Sequence, residues 1–339
     1  MNQRRWLRYA VPVGGLHVLG ITLLIVSTHH NPALIGMAFL AYTFGLRHAF
    51  DVDHIAAIDN TVRKLIQQQK DAIGVGFFFS LGHSTVVACM TVFTILSVHV
   101  AERHLPQLQT VGGMLGTLVS GVFLLIIGGA NLFILFDVYR LFLQMRTCDH
   151  AVQQAENLLL SRGFMARLVQ PLLRMVTKSS HIYPIGLLFG LGFDTSSEVA
   201  LLAVSAIAVK NAIPLAGVFA LPVLFAAGMS LMDTADGVFM TTAYRWAFST
   251  PLRKVYYNLA VTGLGVAAAL LIGVIELAQV LIPRLGLHNA PWDWIEQLDL
   301  GRLGFLLVAL FIFVWAMSFG FWKLFRVEER GSNKATQSG

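Results

Sequence analysis

Eight stretches of this chain, at about 10–28, 33–60, 73–98, 110–136, 183–208, 212–237, 255–282 and 303–325, are long and apolar enough to cross a bilayer as helices. About 20 such residues span a ~30 Å hydrocarbon core. Eight runs in 339 residues leave no room for a soluble domain. Composition agrees, with 56% hydrophobic and 12% charged residues, against about 25% charged in a soluble domain. The expectation is an all-α polytopic membrane protein of about eight transmembrane helices, forming one transport domain over 1–339. A basic loop at about 137–182, amphipathic around Leu158, Leu159, Leu160, Phe164 and Leu168, and a tail at about 326–339 complete it.

The net charge of +6 invites a nucleic-acid reading, but the placement of Lys and Arg explains it better. With the N-terminus inside, 19 of the 24 lie in inner segments, four in outer ones, and Arg47 within a span. That is the positive-inside bias, so both termini are expected in the cytoplasm of a bacterium, with anionic lipid as the partner of the basic segments and no nucleic acid. Arg4, Arg5 and Arg8 precede the first run, yet no cleavage site follows it and seven spans come after, which argues against a removable signal peptide. Cys89 and Cys148, one in a span and one in the loop, supply neither a disulfide framework nor a thiolate cage.

Ionisable groups inside spans cost roughly 2.5–3.5 kcal/mol each on insertion scales and are functional candidates by default. They cluster here. Span two carries Arg47-His48-Ala49-Phe50-Asp51-Val52-Asp53-His54, then Asp59-Asn60; span three carries Ser80-Leu81-Gly82-His83-Ser84; span five carries Asp194 and Glu198; span six carries Asp233 and Asp236. Six unpaired carboxylates would cost on the order of 15–20 kcal/mol. Arg47 is the one basic side chain near them in sequence, so cations, protons or water have to supply the balance.

Helical spacing sorts these groups. His48, Asp51 and His54 fall within roughly 120° of one helix face, whereas Asp53 points about 160° from Asp51. Asp53 and His54 meet one cation only where the span is broken, a device transporters use to line a cavity. Asp194 with Glu198, and Asp233 with Asp236, share faces, and Ser197 and Ser230 are suited to orienting a ligand. Imidazole and carboxylate without thiolate fit nickel, cobalt, zinc or iron better than copper(I), and the histidines argue against magnesium and calcium. The candidate metal residues are His48, Asp51, Asp53, His54, His83, Asp194, Glu198, Asp233, Asp236 and His17. His17 and His83 also read as ordinary helix-packing hydrogen-bonders. Asp59 and Asn60 read equally as the cytoplasmic end of span two, and Glu276 as a proton site or the wall of a polar cavity. His29, His30, His99, His104 and His288 fall in outer loops, where exposed histidines are ordinary. Gly112–Gly116 and Gly186–Gly190 have the spacing of close helix packing.

An internal echo is visible. Phe50-Asp51 matches Phe193-Asp194, and Ser80 to Ser84 matches Ser230 to Thr234. In the topology above these segments run in opposite directions, the pattern of inverted repeats over spans 1–3 and 4–6.

His48-x4-Asp53-His54 within Arg-His-Ala-Phe-Asp-Val-Asp-His-Ile, followed by Leu-Gly-His-Ser, Leu-Gly-Phe-Asp-Thr and Gly-Met-Ser-Leu-Met-Asp-Thr-Ala-Asp-Gly, resembles the nickel/cobalt transporter family. The resemblance spans residues 46–237. It implies a secondary permease for high-affinity uptake of Ni(II) or Co(II), with His48, Asp53 and His54 as the metal motif and His83, Asp194, Glu198, Asp233 and Asp236 in the remaining signatures. The chain reads Thr195-Ser196-Ser197-Glu198 where Thr-Ala-Thr-Glu is common in the family, a mild departure. The ion is cargo, so no resident cofactor is implied, and no number of chains.

No Gly-x4-Gly-Lys-Ser/Thr loop occurs, which argues against ATP hydrolysis by this polypeptide. A potential of 100 mV gives a divalent ion about 4.6 kcal/mol, so gradients suffice. The rivals are a histidine-box metalloenzyme, for which only His150 and His181 lie on the cytoplasmic side, the membrane subunit of a multi-component importer, and an efflux permease.

Overall fold

The computed structural model describes residues 6–28, 31–96, 98–147, 176–191, 196–247, 251–287, 289–298, 300, 304–313 and 317. Every regular element among them is helical: α1 (Leu7–Thr28), α2 (Ala33–His48), α3 (Val52–Gln67), α4 (Val75–Leu96) and α5 (Val98–Thr147) lead to a 3₁₀ turn (Ser179–Ile182). Then come α6 (Tyr183–Phe189), α7 (Ser196–Lys210), α8 (Leu215–Ala247), α9 (Pro251–Leu285), α10 (Ala290–Glu296) and α11 (Gly304–Phe313). Among the described residues five helices are long and apolar enough to cross a membrane, or up to six where α2 and α3, bent by 51° at their junction, count as one span. The chain is an all-α, multi-pass membrane protein.

The central element is α8, against which α1, α2, α3, α4 and α7 pack, while α5 and α9 pair along one side. The α5–α9 seam is made by Gly121 and Gly273, each close to the other's carbonyl, with a Cβ at Gly128 3.1 Å from that of Ala269. Helices approach this closely only where side chains are small. The face of α1 turned away from α8 exposes Val11, Val18, Leu19, Ile21, Ile25 and Val26, an apolar surface suited to lipid.

Two further crossings are built alike. In the α2–α8 crossing, Gly45 lies against the Phe225 carbonyl and Gly228 against that of Tyr42; in the α4–α6 crossing, Gly186 lies against the Phe79 carbonyl and Gly82 against that of Tyr183. The same four residue types, Tyr, Gly, Phe and Gly, thus recur in the same contacts. Gly190, the second glycine of the expected 186–190 pair, packs on His83.

The break in the second span follows from its sequence. Asp51 takes an extended conformation (φ −63°, ψ 139°) at the N-cap of α3, and Asp53 sits in the first turn, both favoured at a helix start. The opening lies against the last described helix: Gly304 is pressed to the Phe50 carbonyl and the Phe305 ring stacks on Phe50 at 5.0 Å.

From His54 to Ile66 every residue of α3 is buried. A helix this polar is sustained within the span because protein, not lipid, surrounds it. Asp59 and Asn60 do not end the span at an interface; both are fully buried. Arg63 and Lys64, two of the 19 basic residues counted above in inner segments, are buried too. The Arg63 guanidinium donates from Nε to Tyr244 Oη at 3.2 Å, from Nη1 to the Thr262 carbonyl at 2.9 Å, and from Nη2 to Tyr244 Oη at 2.7 Å. Nη2 also donates to the Asp59 carboxylate, and Tyr244 Oη donates to that same carboxylate. Asn60 donates to the Ala56 and Gly265 carbonyls, and Asn131 donates to Asn60 Oδ1 at 2.9 Å. Removing one partner of such a buried pair costs about 3–5 kcal/mol. Arg47, by contrast, is exposed, so the buried base among the acidic groups is Arg63.

Sequence and structure part company in three other places. The connection expected before residue 110 is helical from Val98 onward, because Ala, Glu, Arg, Leu and Gln end a hydrocarbon span without ending a helix. Span five is two helices, α6 and α7, with residues 192–195 between them outside the described set. The outer connection before α11 contains α10, held where Gln279 Nε2 donates to the Ile295 and Leu298 carbonyls. The amphipathic stretch of the long loop, the tail, His29, His30, His288, Cys148 and Asp194 also lie outside the described residues.

Candidate metal site

The last turn of α2 supplies His48, the first turn of α3 supplies His54, and the middle of α4 supplies His83. On an unbroken helix His48 and His54 would point roughly 120° apart. The 51° bend turns them toward each other, with ring centroids 4.7 Å apart, and His83 lies 4.6 Å from His48 and 4.8 Å from His54. One nitrogen of each ring falls within 4.8 Å of the others. All three rings are at most 2% exposed.

Aromatic walls hold the rings. Phe79 meets His54 edge-on at 4.8 Å and Phe225 lies 5.7 Å from His48. Phe79 and Phe225 belong to the two large apolar clusters of the protein, one built around α3 and the other around α2 and α8. The site therefore occupies the seam between two cores. Sequence reasoning missed both phenylalanines, and their signal was the Phe-x-x-Gly spacing shared by Phe79–Gly82 and Phe225–Gly228.

Carboxylates approach from three sides. His83 Nε2 is 2.8 Å from Glu198 Oε1, His48 Nε2 is 3.8 Å from the same oxygen, and His48 Nδ1 is 3.0 Å from Asp51 Oδ2. Ser197 Oγ reaches His48 Nδ1 at 3.2 Å. Asp233 Oδ2 lies 3.5 Å from His54 Nδ1, beyond a hydrogen bond. Neither oxygen of Asp233, and neither Nδ1 of His54 and His83, has a hydrogen-bond partner. A fully buried carboxylate without a donor is costly, and a divalent ion beside it would remove that cost. Just below, Ser80 Oγ donates to Ser230 Oγ at 3.1 Å.

Of the ten candidate residues, the structure gathers His48, His54, His83, Glu198, Asp51 and Asp233. Asp53 accepts the His54 N–H at 2.8 Å. Asp236, one turn beyond Asp233 on α8, is half-buried and its Oδ2 has no hydrogen-bond partner. His17 is not brought in: Nδ1 meets the Val13 carbonyl at 2.8 Å and Nε2 meets Tyr42 Oη at 3.3 Å.

The donor set is nitrogen and oxygen throughout. Cys89 is exposed on α4. The 2.8 Å between His48 Nε2 and His83 Nε2 is close to the roughly 2.9 Å that separates two neighbouring ligands at right angles on a metal with ~2.0–2.1 Å bonds. Right-angled pairs occur in square-planar and octahedral sites, geometries open to nickel(II).

The family model described as "High-affinity nickel-transport protein" matches residues 34–320. The "Nickel transporter NixA" of Staphylococcus aureus is 52% identical over 332 residues, covering 98% of each chain. The "High-affinity nickel-transport protein NixA" of Helicobacter pylori strain 26695 is 50% identical over 94% of this chain and 97% of its own. The "Cobalt transport protein NhlF" of Rhodococcus rhodochrous is 40% identical over 88% and 87%. No solved structure matches the chain.

Proposed function

Since the chain belongs to the high-affinity nickel-transport family, we propose that it carries Ni(II) into the cell across a bacterial cytoplasmic membrane. The observation that carries this reading is the buried triad His48, His54 and His83 with carboxylates on its flanks. A hydrated divalent ion enters such a site by exchanging water for imidazole nitrogen. Glu198, beside His83, and Asp233, beside His54, offset its charge. Asp51 orients His48 through Nδ1 and leaves Nε2 directed at the ion, the carboxylate–histidine–metal arrangement. Because the ligands come from α2, α3, α4, α7 and α8, a shift of one bundle against the other changes the coordination and releases the ion. Of the ten sequence candidates, His48, His54, His83, Glu198 and Asp233 face the ion, and Asp51 orients one of them. We assign Asp53 to shaping the start of α3, and Asp194 and Asp236 to the approach and departure of the ion.

Cobalt(II) is the second cargo. It accepts the same donors, and the relative named a cobalt transporter supports it. The driving force is the membrane potential, worth about 2.3 kcal/mol per charge at 100 mV, and no partner ATPase is invoked.

Purified protein in liposomes, with a potassium gradient and valinomycin setting the potential, tests the proposal. Nickel should accumulate when the lumen is negative, stop when the potential is collapsed, and fail with His54→Ala at equal protein density. Accumulation indifferent to His54→Ala, or absent from the parent protein at any potential, would contradict it.

A further inference from the structure

The Asp59–Arg63–Tyr244 cluster holds no part of the metal site, yet it is among the most completely buried groups in the protein. Its position relates it to transport. Asp59 and Arg63 lie five and nine residues past His54 on α3, about 7.5 and 13.5 Å along the helix. Tyr244 lies eleven residues past Asp233 on α8, three turns further on and on the same face. Asp59 and Arg63 lie about 140° and 180° round α3 from His54, against α9 at Gly265 and Thr262, and the far end of α8 reaches them through the Tyr244 hydroxyl. At that level Arg63 ties α3 to α8 through Tyr244 and to α9 through the Thr262 carbonyl. Asn60 adds α5 through Asn131. Four helices are fastened at one height, and Gly265 is pressed against the guanidinium with no room for a side chain.

The opposite half of the protein has no such fastening at the matching positions. The two like-built crossings, α2–α8 and α4–α6, pair α2 with α6 at an offset of 141 residues, and the sequence echo pairs Asp51 with Asp194, and so α3 with α7, at an offset of 143. At that offset Asp59 and Arg63 fall on Leu202 and Ala206. Leu202 is buried in an apolar cluster with Val86. The two halves are fastened by different chemistry: directional polar bonds where α3 meets α8 and α9, and apolar contact where α7 meets α4.

We infer that Asp59, Arg63 and Tyr244 form the closed inner gate of the permease. The inference rests on the uptake reading and on the Lys/Arg bias that places the Arg63 end in the cytoplasm. Inward release then requires Tyr244 to leave the guanidinium, opening the α3–α8 seam, while Asp59 stays with Arg63 as an intrahelical pair four residues apart.

Thr61 reports on the gate. It is fully buried, without a hydrogen-bond partner, and two turns beyond His54 on the same face of α3. The full chain, with Cys89→Ser, Cys148→Ser and Thr61→Cys, is exposed in right-side-out and inside-out vesicles to a membrane-impermeant maleimide. The parent should resist labelling from both faces. Tyr244→Phe, which keeps the ring and removes only the hydroxyl, should raise labelling from the cytoplasmic face at least tenfold and leave the outer face unchanged. Arg63→Lys should do the same where it reaches the membrane; where it does not, Tyr244→Phe decides alone. Unchanged labelling, or an equal rise from both faces, would overturn the gate. Labelling requires no metal, so failure of the parent to take up nickel would count against the cargo and leave the gate to be judged on its own result.

Discussion

The Nε2 atoms of His48 and His83 lie within hydrogen-bond reach, 2.8 Å apart, on α2 and α4, 35 residues apart in sequence, a separation that also suits two neighbouring ligands of the proposed metal site. Substituting either ring by alanine should weaken nickel binding by two orders of magnitude or more. Asp51→Asn, which touches only the far nitrogen of His48, should cost about 10–100-fold. Titration of nickel into purified protein measures both. Equal losses for ligand and orienting residue would contradict the division of roles.

Asp233 presents two buried oxygens with no donor. Asp233→Asn should therefore make the metal-free protein more stable, by about 1–2 kcal/mol, while shrinking the stabilisation that nickel confers. Saturation a hundredfold above Kd is worth about 2.7 kcal/mol. Thermal melts in detergent with and without nickel read both effects, and a metal-free Tm lowered by Asp233→Asn would count against a carboxylate held in readiness for a cation.

The close crossings make a separate prediction about stability. A methyl group at Gly76 would collide with the Asp233 carbonyl, and one at Gly186 with that of Phe79. Gly76→Ala and Gly186→Ala should each destabilise by about 1–3 kcal/mol. Gly129→Ala, where the space is open, should be neutral in the same melts.

His17 spends both ring nitrogens within α1 and on Tyr42. His17→Phe should leave the number of bound nickel ions unchanged and affinity within about threefold. Loss of binding in equilibrium dialysis would bring His17 back among the ligands.

Much of this arrangement was legible in the residues. Asp53 and His54 could meet one cation only where the second span is broken, and the structure breaks it between His48 and Val52. The pairing of Ser80 with Ser230, found in the sequence as an echo, reappears as a hydrogen bond. Arg63 was misread because a base near the end of an apolar run ordinarily meets water; its partners Tyr244 and the Thr262 carbonyl lie 181 and 199 residues away, and no local pattern announces a tertiary contact. Arg47 was misread for the converse reason, since nearness in sequence to Asp51 does not put it on the same face. The helical start of α5 escaped because polarity marks the membrane boundary and not the end of the helix.

X-ray absorption at the nickel edge of the loaded protein tests the central claim most directly. The account predicts a first shell of nitrogen and oxygen at about 2.0–2.1 Å, with imidazole outer-shell scattering that diminishes in His83→Ala and no sulfur. A sulfur scatterer near 2.3 Å, or a spectrum unaltered by His83→Ala, would contradict it.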